Sequence, residues 1–225
     1  MELANIAKTV QESTMPVRVA SQNLDQFKQA RIDLIDAVIE LLKSCERDTS
    51  KLLDWLATTS FWEDPASYRY HNAFYGGLLD HSFNVYQILK NKVELFGLKI
   101  PKDSIILTAL LHDVCKIGTY NIKESWRKDD NNRWESYAGY GFNEDEFPMG
   151  HGEKSVIMLN KYIELSEVEQ MAIRWHGGLS EDPKGYTFSR AAIISDLVTL
   201  LHTSDFEASM ILEPQGTIEW LVDIK

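Results

Sequence analysis

The stretch Leu110-Leu111-His112-Asp113-Val114-Cys115-Lys116 places an adjacent histidine and aspartate inside a strongly apolar run. An ionised aspartate is costly to bury unless hydrogen bonds or an opposite charge compensate it. The apolar residues of 104–115 predict a central buried helix that starts after Pro101 and stops before Gly118. Because a further histidine, His81, lies upstream, a divalent metal is the partner that we expect for this pair.

Helical patterns lie on both sides of this stretch. Apolar residues recur at helical spacing from Leu24 to Leu42. The pair Gly76-Gly77 would let the backbone approach closely before the next helix begins, and Ser166 with Glu169 has the spacing of a capping box. Further helices are predicted over 51–58, 78–92, from His151 onward, over 166–176 and over 189–210. One mostly helical domain that spans 1–225 is the simplest account of these signals.

Residues 119–149 differ in character from the rest of the chain. Trp126 and Trp134 flank the polar run Asp129-Asp130-Asn131-Asn132, which predicts a β-hairpin with a polar turn. An aromatic and glycine-rich segment follows the second tryptophan. We interpret the region as an insertion over a site, where Tyr137, Tyr140 and Phe142 could stack on a base. A hairpin packed by its own aromatic rings accounts for the same residues equally well.

The composition narrows the classes of function. The chain has 225 residues, 44% of them hydrophobic, which is enough for one substantial core. A net charge of −11 without a Lys/Arg cluster disfavours a long nucleic acid as partner, because neutralised phosphates drive such binding; a small anion held by a metal and a few cations is compatible. No apolar run approaches the roughly 18–20 residues that span a membrane. With two cysteines and an N-terminus unlike a signal peptide, we expect a cytoplasmic protein with reduced thiols.

The histidine–aspartate pair needs help from other segments to bind a metal. Adjacent residues of a helix point about 100° apart, so one ion can meet both His112 and Asp113 only between their directions. His81 and Asp205 are the candidates for the remaining ligands, and Asp196 competes for the last position. Such a mixed nitrogen and oxygen set suits Mn, Fe, Co, Ni or Zn, whereas calcium prefers mostly oxygen.

Taken together, these residues resemble the His…His-Asp…Asp signature of the HD-domain metal-dependent phosphohydrolases, in the order His81, His112, Asp113 and Asp205. The resemblance covers about residues 68–210. It implies an all-α fold, with a single HD-type helical domain and a small β-hairpin or loop insertion around 119–149. Residues 1–60 would then form N-terminal helices, and 68–210 the HD-type catalytic core.

The local contexts of three histidines add to the resemblance. The segment from His71 to His81 is similar to the first-histidine motif in HD domains of the 3′→5′ exoribonuclease type. Gly150-His151 and Trp175-His176-Gly177 resemble two extra histidines of members that hold a second metal or line a phosphate site with histidines. The chain departs from the exoribonucleases because residues 1–50 are too few for a preceding nucleic-acid-binding domain, which counts against an RNA substrate.

The resemblance also implies roles for individual residues. It implies four metal ligands, which are His81, His112, Asp113 and Asp205. Asp113 matches a residue that can bridge two metals, so the centre could hold one or two divalent ions, with magnesium as an option for the second. His151 and His176 match second-metal ligands or histidines beside the phosphate. Lys116 matches a lysine that meets a phosphate oxygen.

The chemistry implied is hydrolysis of a phosphate ester or anhydride by a metal-activated water, with Asp113, Lys116, His151 and His176 as the catalytic set. We predict a phosphohydrolase that acts on a small nucleotide, such as a deoxynucleoside tri- or monophosphate. His71, Arg69 and Tyr140 are the candidate substrate-binding residues. Two alternatives stay open: a phosphodiesterase or 3′→5′ exonuclease acting on oligonucleotides or cyclic nucleotides, and a non-catalytic module that binds a nucleotide. The N-terminal helices could form a homo-oligomer interface.

Overall fold

The computed structural model describes residues 24–143, 149–180, 182 and 184–222, and each structural statement below concerns these residues. The described chain is mostly helical, as predicted, with one two-stranded antiparallel sheet. Its eight α-helices are α1 (Leu24–Lys43), α2 (Ser50–Leu56), α3 (Gly77–Phe96), α4 (Lys102–Leu111), α5 (His151–Leu159), α6 (Glu167–Arg174), α7 (Tyr186–Ile194) and α8 (Asp196–Glu207). The part of the predicted N-terminal helices that falls on 1–23 lies outside the described residues.

The core is centred on α4. Its side chains Ile106, Leu107, Leu110 and Leu111 are all fully buried, which fits a sequence that is apolar almost all round. Burial of each such side chain stabilises the fold by about 1.5–3 kcal/mol. Apolar residues of α1 and α2 belong to the same buried cluster as those of α3 to α8. Helices α3 and α8, which carry His81 and Asp205, thus pack against the same core as α4.

The predicted helix over 104–115 ends earlier than the sequence pattern indicated. The α-helix stops at Leu111, His112 still has helical dihedrals, and Asp113 leaves the helix with φ −108° and ψ 18°. A single 3₁₀ turn, Val114–Lys116, follows. The helix ends there because the imidazole and the carboxylate turn toward polar partners from other helices, which periodicity within one segment cannot show.

The predicted helix over 189–210 is wrong as one element, because two helices form there. Ser195 separates α7 from α8 with an extended backbone, φ −146° and ψ 127°. Its hydroxyl accepts a hydrogen bond from the backbone N–H of Leu197 at 3.3 Å, so it caps the start of α8. A π-helical segment, Ala208–Leu212, extends α8 at its other end.

Two local predictions are confirmed. Strands β1 (Tyr120–Lys128) and β2 (Trp134–Phe142) pair antiparallel as a hairpin, and Asp129 accepts hydrogen bonds from backbone N–H groups in its turn. Ser166 and Glu169 form the capping box at the start of α6, with the Ser166 hydroxyl accepting from Glu169 N and the Glu169 carboxylate accepting from Ser166 N.

The close backbone approach expected at Gly76-Gly77 is present. A Cβ on Gly77 would overlap the carbonyl oxygen of Asn72, and Gly76 has φ +77°, which only glycine adopts at low cost. The tight passage sets the start of α3, the helix that carries His81. In the described part of the chain, none of the helices combines the length and the apolar character that a bilayer crossing requires.

Candidate metal centre

Four side chains from three segments meet at one point of the core. His81 lies in the first turns of α3, His112 and Asp113 follow α4, and Asp205 lies in the last turn of α8. The Nε2 atom of His81 is 3.2 Å from His112 Nε2, 3.1 Å from Asp205 Oδ1 and 3.5 Å from Asp113 Oδ2. Both histidines are fully buried, and Asp113 is nearly so. Asp196, the competitor for the last position, is at the opposite end of α8.

The histidine rings are oriented by bonds to their second nitrogens. His112 Nδ1 lies 2.9 Å from the carbonyl oxygen of Ala109, and His176 Nδ1 lies 2.7 Å from that of Ile173. A carbonyl oxygen only accepts, so Nδ1 carries a proton in both rings and Nε2 is the nitrogen left to meet a metal once it is unprotonated. Each Nε2 faces the cluster, as a metal-ligating histidine requires.

Asp113 lies between the pair His81 and His112 on one side and His176 on the other. Its Oδ2 faces His81 at 3.5 Å and His112 at 3.4 Å, whereas its Oδ1 lies 3.4 Å from Nε2 of His176. Lys116 forms an ion pair with Oδ2 at 2.6 Å. A carboxylate that presents separate oxygens to separate donors has the arrangement that a ligand shared by two ions needs.

His151 approaches the same carboxylate from α5. It is exposed at the first residue of that helix, and one of its ring nitrogens lies within 4.8 Å of ligand atoms of Asp113 and Cys115. The backbone N–H of Cys115 donates to the Ser155 hydroxyl at 3.2 Å, which fastens α5 to the turn after the histidine–aspartate pair. The structure thus brings both extra histidines, His151 and His176, to the side of Asp113.

The electrostatics favour a cation at this point. Burial alone would raise the pKa of Asp113, but Lys116 and the histidines hold that pKa well below its ordinary value. Burial likewise opposes the charged form of His81, yet Glu213 and Asp205 raise its pKa to about 10. Carboxylates that draw protons onto buried imidazoles would also attract a divalent ion, whose binding releases such protons. The donor set therefore fits a borderline divalent metal.

A cleft of about 510 Å³ opens in front of the cluster. Its polar side includes Asp113, Lys116, His151, His176 and Asp205, together with the predicted substrate-binding residue His71. Its other side is aromatic and consists of Tyr68, Tyr70, Tyr120 and Phe142. We call these four rings the aromatic wall.

Two predicted substrate-binding residues, Arg69 and Tyr140, are not among the residues that line the cleft. Arg69 neighbours the lining residues Tyr68 and Tyr70, and its guanidinium stacks over their rings with centroid distances of 5.0 and 5.1 Å. Tyr140 is buried, and its hydroxyl donates to the carbonyl oxygen of Val222 at 3.3 Å. Tyr140 shares a strand face with Phe142, but Val222 packs against it, so Phe142 takes the position expected for Tyr140.

Sequence reasoning missed Glu213 and Asn84. The Glu213 carboxylate is fully enclosed and lies 3.0 Å from His81 Nδ1, 2.6 Å from His71 Nδ1 and 3.1 Å from Asn84 Nδ2. Burial would raise the pKa of Glu213, but the charge of His81 and the hydrogen bonds from both histidines hold it below its usual range. The signal for Glu213 in the sequence is one acidic residue after the apolar run Met210-Ile211-Leu212.

The helical fold and the mixed histidine–carboxylate cluster define the class of protein: a helical domain with a candidate site for a divalent metal ion. The HD domain family model matches residues 78–205, which hold all four predicted metal ligands. The chain therefore belongs to the HD-domain family, and the resemblance noted in the sequence is confirmed.

A curated relative adds a comparison with a named activity. The chain is 32% identical over 112 residues to the dihydroneopterin 2′,3′-cyclic phosphate phosphodiesterase of Methanocaldococcus jannaschii. The alignment covers 48% of this chain and 42% of that relative, so the chain matches less than half of the relative's length. No solved structure matches the chain.

Proposed function

We propose that the protein is a metal-dependent phosphohydrolase that acts on a small nucleotide or a closely similar phosphorylated heterocycle. The observation that carries the proposal is the convergence of three further potential ligands around His81 Nε2, with Asp205 at 3.1 Å, His112 at 3.2 Å and Asp113 at 3.5 Å. Membership of the HD-domain family supports the same reaction class. A non-catalytic module would have no need for a lysine and two further histidines around the same carboxylate.

The proposed chemistry starts from the four ligands. His81, His112, Asp113 and Asp205 would hold a divalent ion, whose chemistry when bound would be to lower the pKa of a water toward about 7. Lys116, which lines the cleft and pairs with Asp113 Oδ2, would neutralise a phosphoryl oxygen. With both of its nitrogens protonated, His176 would donate a hydrogen bond from Nε2 to a second oxygen. The exposed His151 would protonate the leaving group.

The aromatic wall supports a planar heterocycle as the rest of the substrate. Ring centroids of Tyr68 and Phe142 are 5.1 Å apart, and those of Tyr120 and Phe142 are 5.3 Å apart, so these tilted rings contact one another within the lining of the cleft. Phe142 is 50% exposed, which leaves ring surface free to stack. Stacking on aromatic side chains contributes about 1–3 kcal/mol per base.

A second candidate reaction is the opening of a cyclic phosphodiester. The relative from Methanocaldococcus jannaschii is named for a 2′,3′-cyclic phosphate. A cyclic diester of a nucleoside or a pterin offers the same two features that the cleft would recognise, a phosphate and a planar ring. The net charge of −11 disfavours long polynucleotides in either case.

The test is a substrate panel with metal-free protein reloaded with Mn²⁺, Co²⁺, Fe²⁺ or Mg²⁺. The panel contains deoxynucleoside mono- and triphosphates, 2′,3′-cyclic nucleotides, dihydroneopterin 2′,3′-cyclic phosphate and short oligonucleotides. We expect metal-dependent turnover of a mononucleotide or a cyclic phosphate. Hydrolysis of oligonucleotides alone would contradict the small-substrate proposal, and the absence of turnover with every metal would favour a binding module.

A pair of aspartate variants on one helix provides the matched control. Asp205→Asn should remove a ligand and abolish turnover, whereas Asp196→Asn changes the same residue type at the far end of α8 and should retain it. Equal activity of the two folded variants would refute the proposed ligand set.

A further inference from the structure

Glu213 reaches the metal centre from a segment outside the stretch that carries the family signature. The chain after the π-helical segment returns along residues 70–73, where Asn72 N donates to Pro214 O at 3.1 Å and Gly216 N donates to Tyr70 O at 2.8 Å. His71 and Gln215 form an isolated antiparallel bridge. This backbone pairing holds Glu213 between the segment before α3 and α3 itself.

The Glu213 carboxylate contacts His81 directly, and its other hydrogen-bond partners hold the carboxylate in the position that makes this contact. Both carboxylate oxygens approach His81 Nδ1, at 3.0 and 3.2 Å. Asn84, one turn further along α3, donates to Oε1 at 3.1 Å, and His71 bonds Oε2 at 2.6 Å. A carboxylate held by two other donors has few ways to turn, so it fixes the plane of the imidazole as well as its proton position.

We propose that Glu213 is a positioning residue, which holds the proton of His81 on Nδ1 and aims Nε2 at the metal. The inference rests on the proposed metal centre and extends it to a residue that lies beyond 78–205. A carboxylate behind a metal-bound imidazole raises the basicity of the ligand, and loss of such partners typically costs 10–100-fold in metal affinity. In contrast, Nδ1 of His112 and Nδ1 of His176 each face a neutral carbonyl oxygen, so among these three histidines the carboxylate support is particular to His81.

A different role for Glu213 must be distinguished from positioning. Ligand atoms of His71, His81 and Glu213 lie within 4.8 Å of one another, so Glu213 could instead bind an ion directly. Direct binding would use His81 Nδ1, and the same ring cannot then donate that nitrogen's proton to the carboxylate. The number of ions bound separates the two roles.

The experiment is a titration of the chelator-treated protein with Mn²⁺, in which the electron paramagnetic resonance signal reports the concentration of free Mn²⁺. Glu213→Gln should raise the Kd for Mn²⁺ about 10–100-fold, with the number of bound ions unchanged. His81→Gln should raise the Kd further. The double variant should bind Mn²⁺ no more weakly than His81→Gln alone, because the carboxylate acts through that ring. An unchanged Kd, additive losses in the double variant, or loss of one complete Mn²⁺ equivalent would each overturn the proposal.

Two further variants keep the test sound. Glu169→Gln removes another buried, hydrogen-bonded carboxylate in the first turn of α6, at the opposite end of that helix from His176, and it should lower stability but leave the Kd unchanged. If Glu213→Gln does not fold, Asn84→Ala removes one donor that holds the carboxylate, and a folded Asn84→Ala protein with unchanged Kd would count against the proposal. Because the titration contains no substrate, its outcome does not depend on whether the proposed reaction is correct.

Discussion

Glu169→Gln is the substitution whose effect can be worked out most fully from the structure. The carboxylate is 1% exposed and accepts from Arg47 Nη2 at 2.6 Å, Arg47 Nη1 at 2.8 Å and the Ser104 hydroxyl at 2.6 Å. It also accepts from the backbone N–H of Ser166 at 2.8 Å. Glutamine would keep one acceptor oxygen and turn an NH₂ group toward donors.

The expected cost follows from those contacts. Hydrogen bonds to charged groups contribute about 1.5–3 kcal/mol each, and breaking a fully buried ion pair costs about 3–5 kcal/mol. The Arg47 side chain is 32% exposed, so water can solvate it after the change. We therefore expect a loss of about 2–4 kcal/mol in the free energy of unfolding, which lowers the Tm of a chain of this size by about 4–16 °C.

The pH dependence gives a second signature. Burial opposes ionisation of Glu169, but the bonds from Arg47, Ser104 and Ser166 outweigh it and hold its pKa below the ordinary value of 4.5. A carboxyl whose pKa is lower in the folded state stabilises the fold above its unfolded pKa, and this contribution is lost as the pH falls through the folded pKa. The stability difference between wild type and Glu169→Gln should thus be constant near pH 7 and shrink below about pH 4.5.

Urea unfolding followed by circular dichroism between pH 3 and 7 measures both signatures. Glu167→Gln is the matched control, because Glu167 lies in the same first turn of α6 but is exposed, and we expect less than about 1 kcal/mol from it. Equal losses for the two variants, or a difference that does not change with pH, would refute the reasoning. Arg47, Glu169 and Ser104 tie the start of α6 to the start of α4, whereas His176 and His112 follow the other ends of these two helices.

Three further predictions concern the cleft and the loop after His176. Lys116→Met should lower kcat/KM by about 10²-fold or more while the protein still binds metal, because it removes the cation proposed to meet the phosphate. Unchanged steady-state kinetics would contradict that role. Phe142→Ala should raise KM for a heterocyclic substrate by about 5–150-fold. Trp126→Ala changes an exposed ring on the same hairpin outside the cleft lining, and it should leave KM unchanged. Gly178→Ala should lower the Tm and the Mn²⁺ affinity together, because Gly178 has φ +62° and a Cβ there would overlap the ring of His202. A Tm within 1 °C of wild type, roughly 0.3 kcal/mol, would show that the backbone accommodates the added methyl group.

The sequence predicted the parts of the structure that depend on local chemistry. The capping box at Ser166, the hairpin turn at Asp129 and the apolar character of α4 each follow from residues close together in the chain. The residues made His81 a candidate partner of His112, and the resemblance supported that choice, because helical periodicity alone does not say which helix ends meet. The sequence pattern does not reveal the break at Ser195, because apolar residues continue on both sides of it and a serine inside a helix carries only a modest cost.

Other features depend on contacts between distant residues. Glu213 is 132 positions from His81, and no periodic pattern links the two segments. Strand alternation puts Tyr140 and Phe142 on one face, but only the path of the last described residues shows that Val222 covers one ring and leaves the other open. Such choices are made by packing between segments, which a single sequence does not display.

The charge balance of the centre explains how an aspartate can be buried at the end of an apolar helix. Asp113, Asp205 and Glu213 contribute three negative charges, against which Lys116 supplies one positive charge. Protons on the imidazoles can make up the difference, and the pKa of His176 is raised to about 9 because hydrogen bonding and attraction from Asp113 outweigh its burial. A divalent cation would neutralise the remaining two charges and free those imidazoles to act as ligands. We therefore expect metal binding and folding to be coupled, so that added metal stabilises the folded state in proportion to the logarithm of its concentration above Kd.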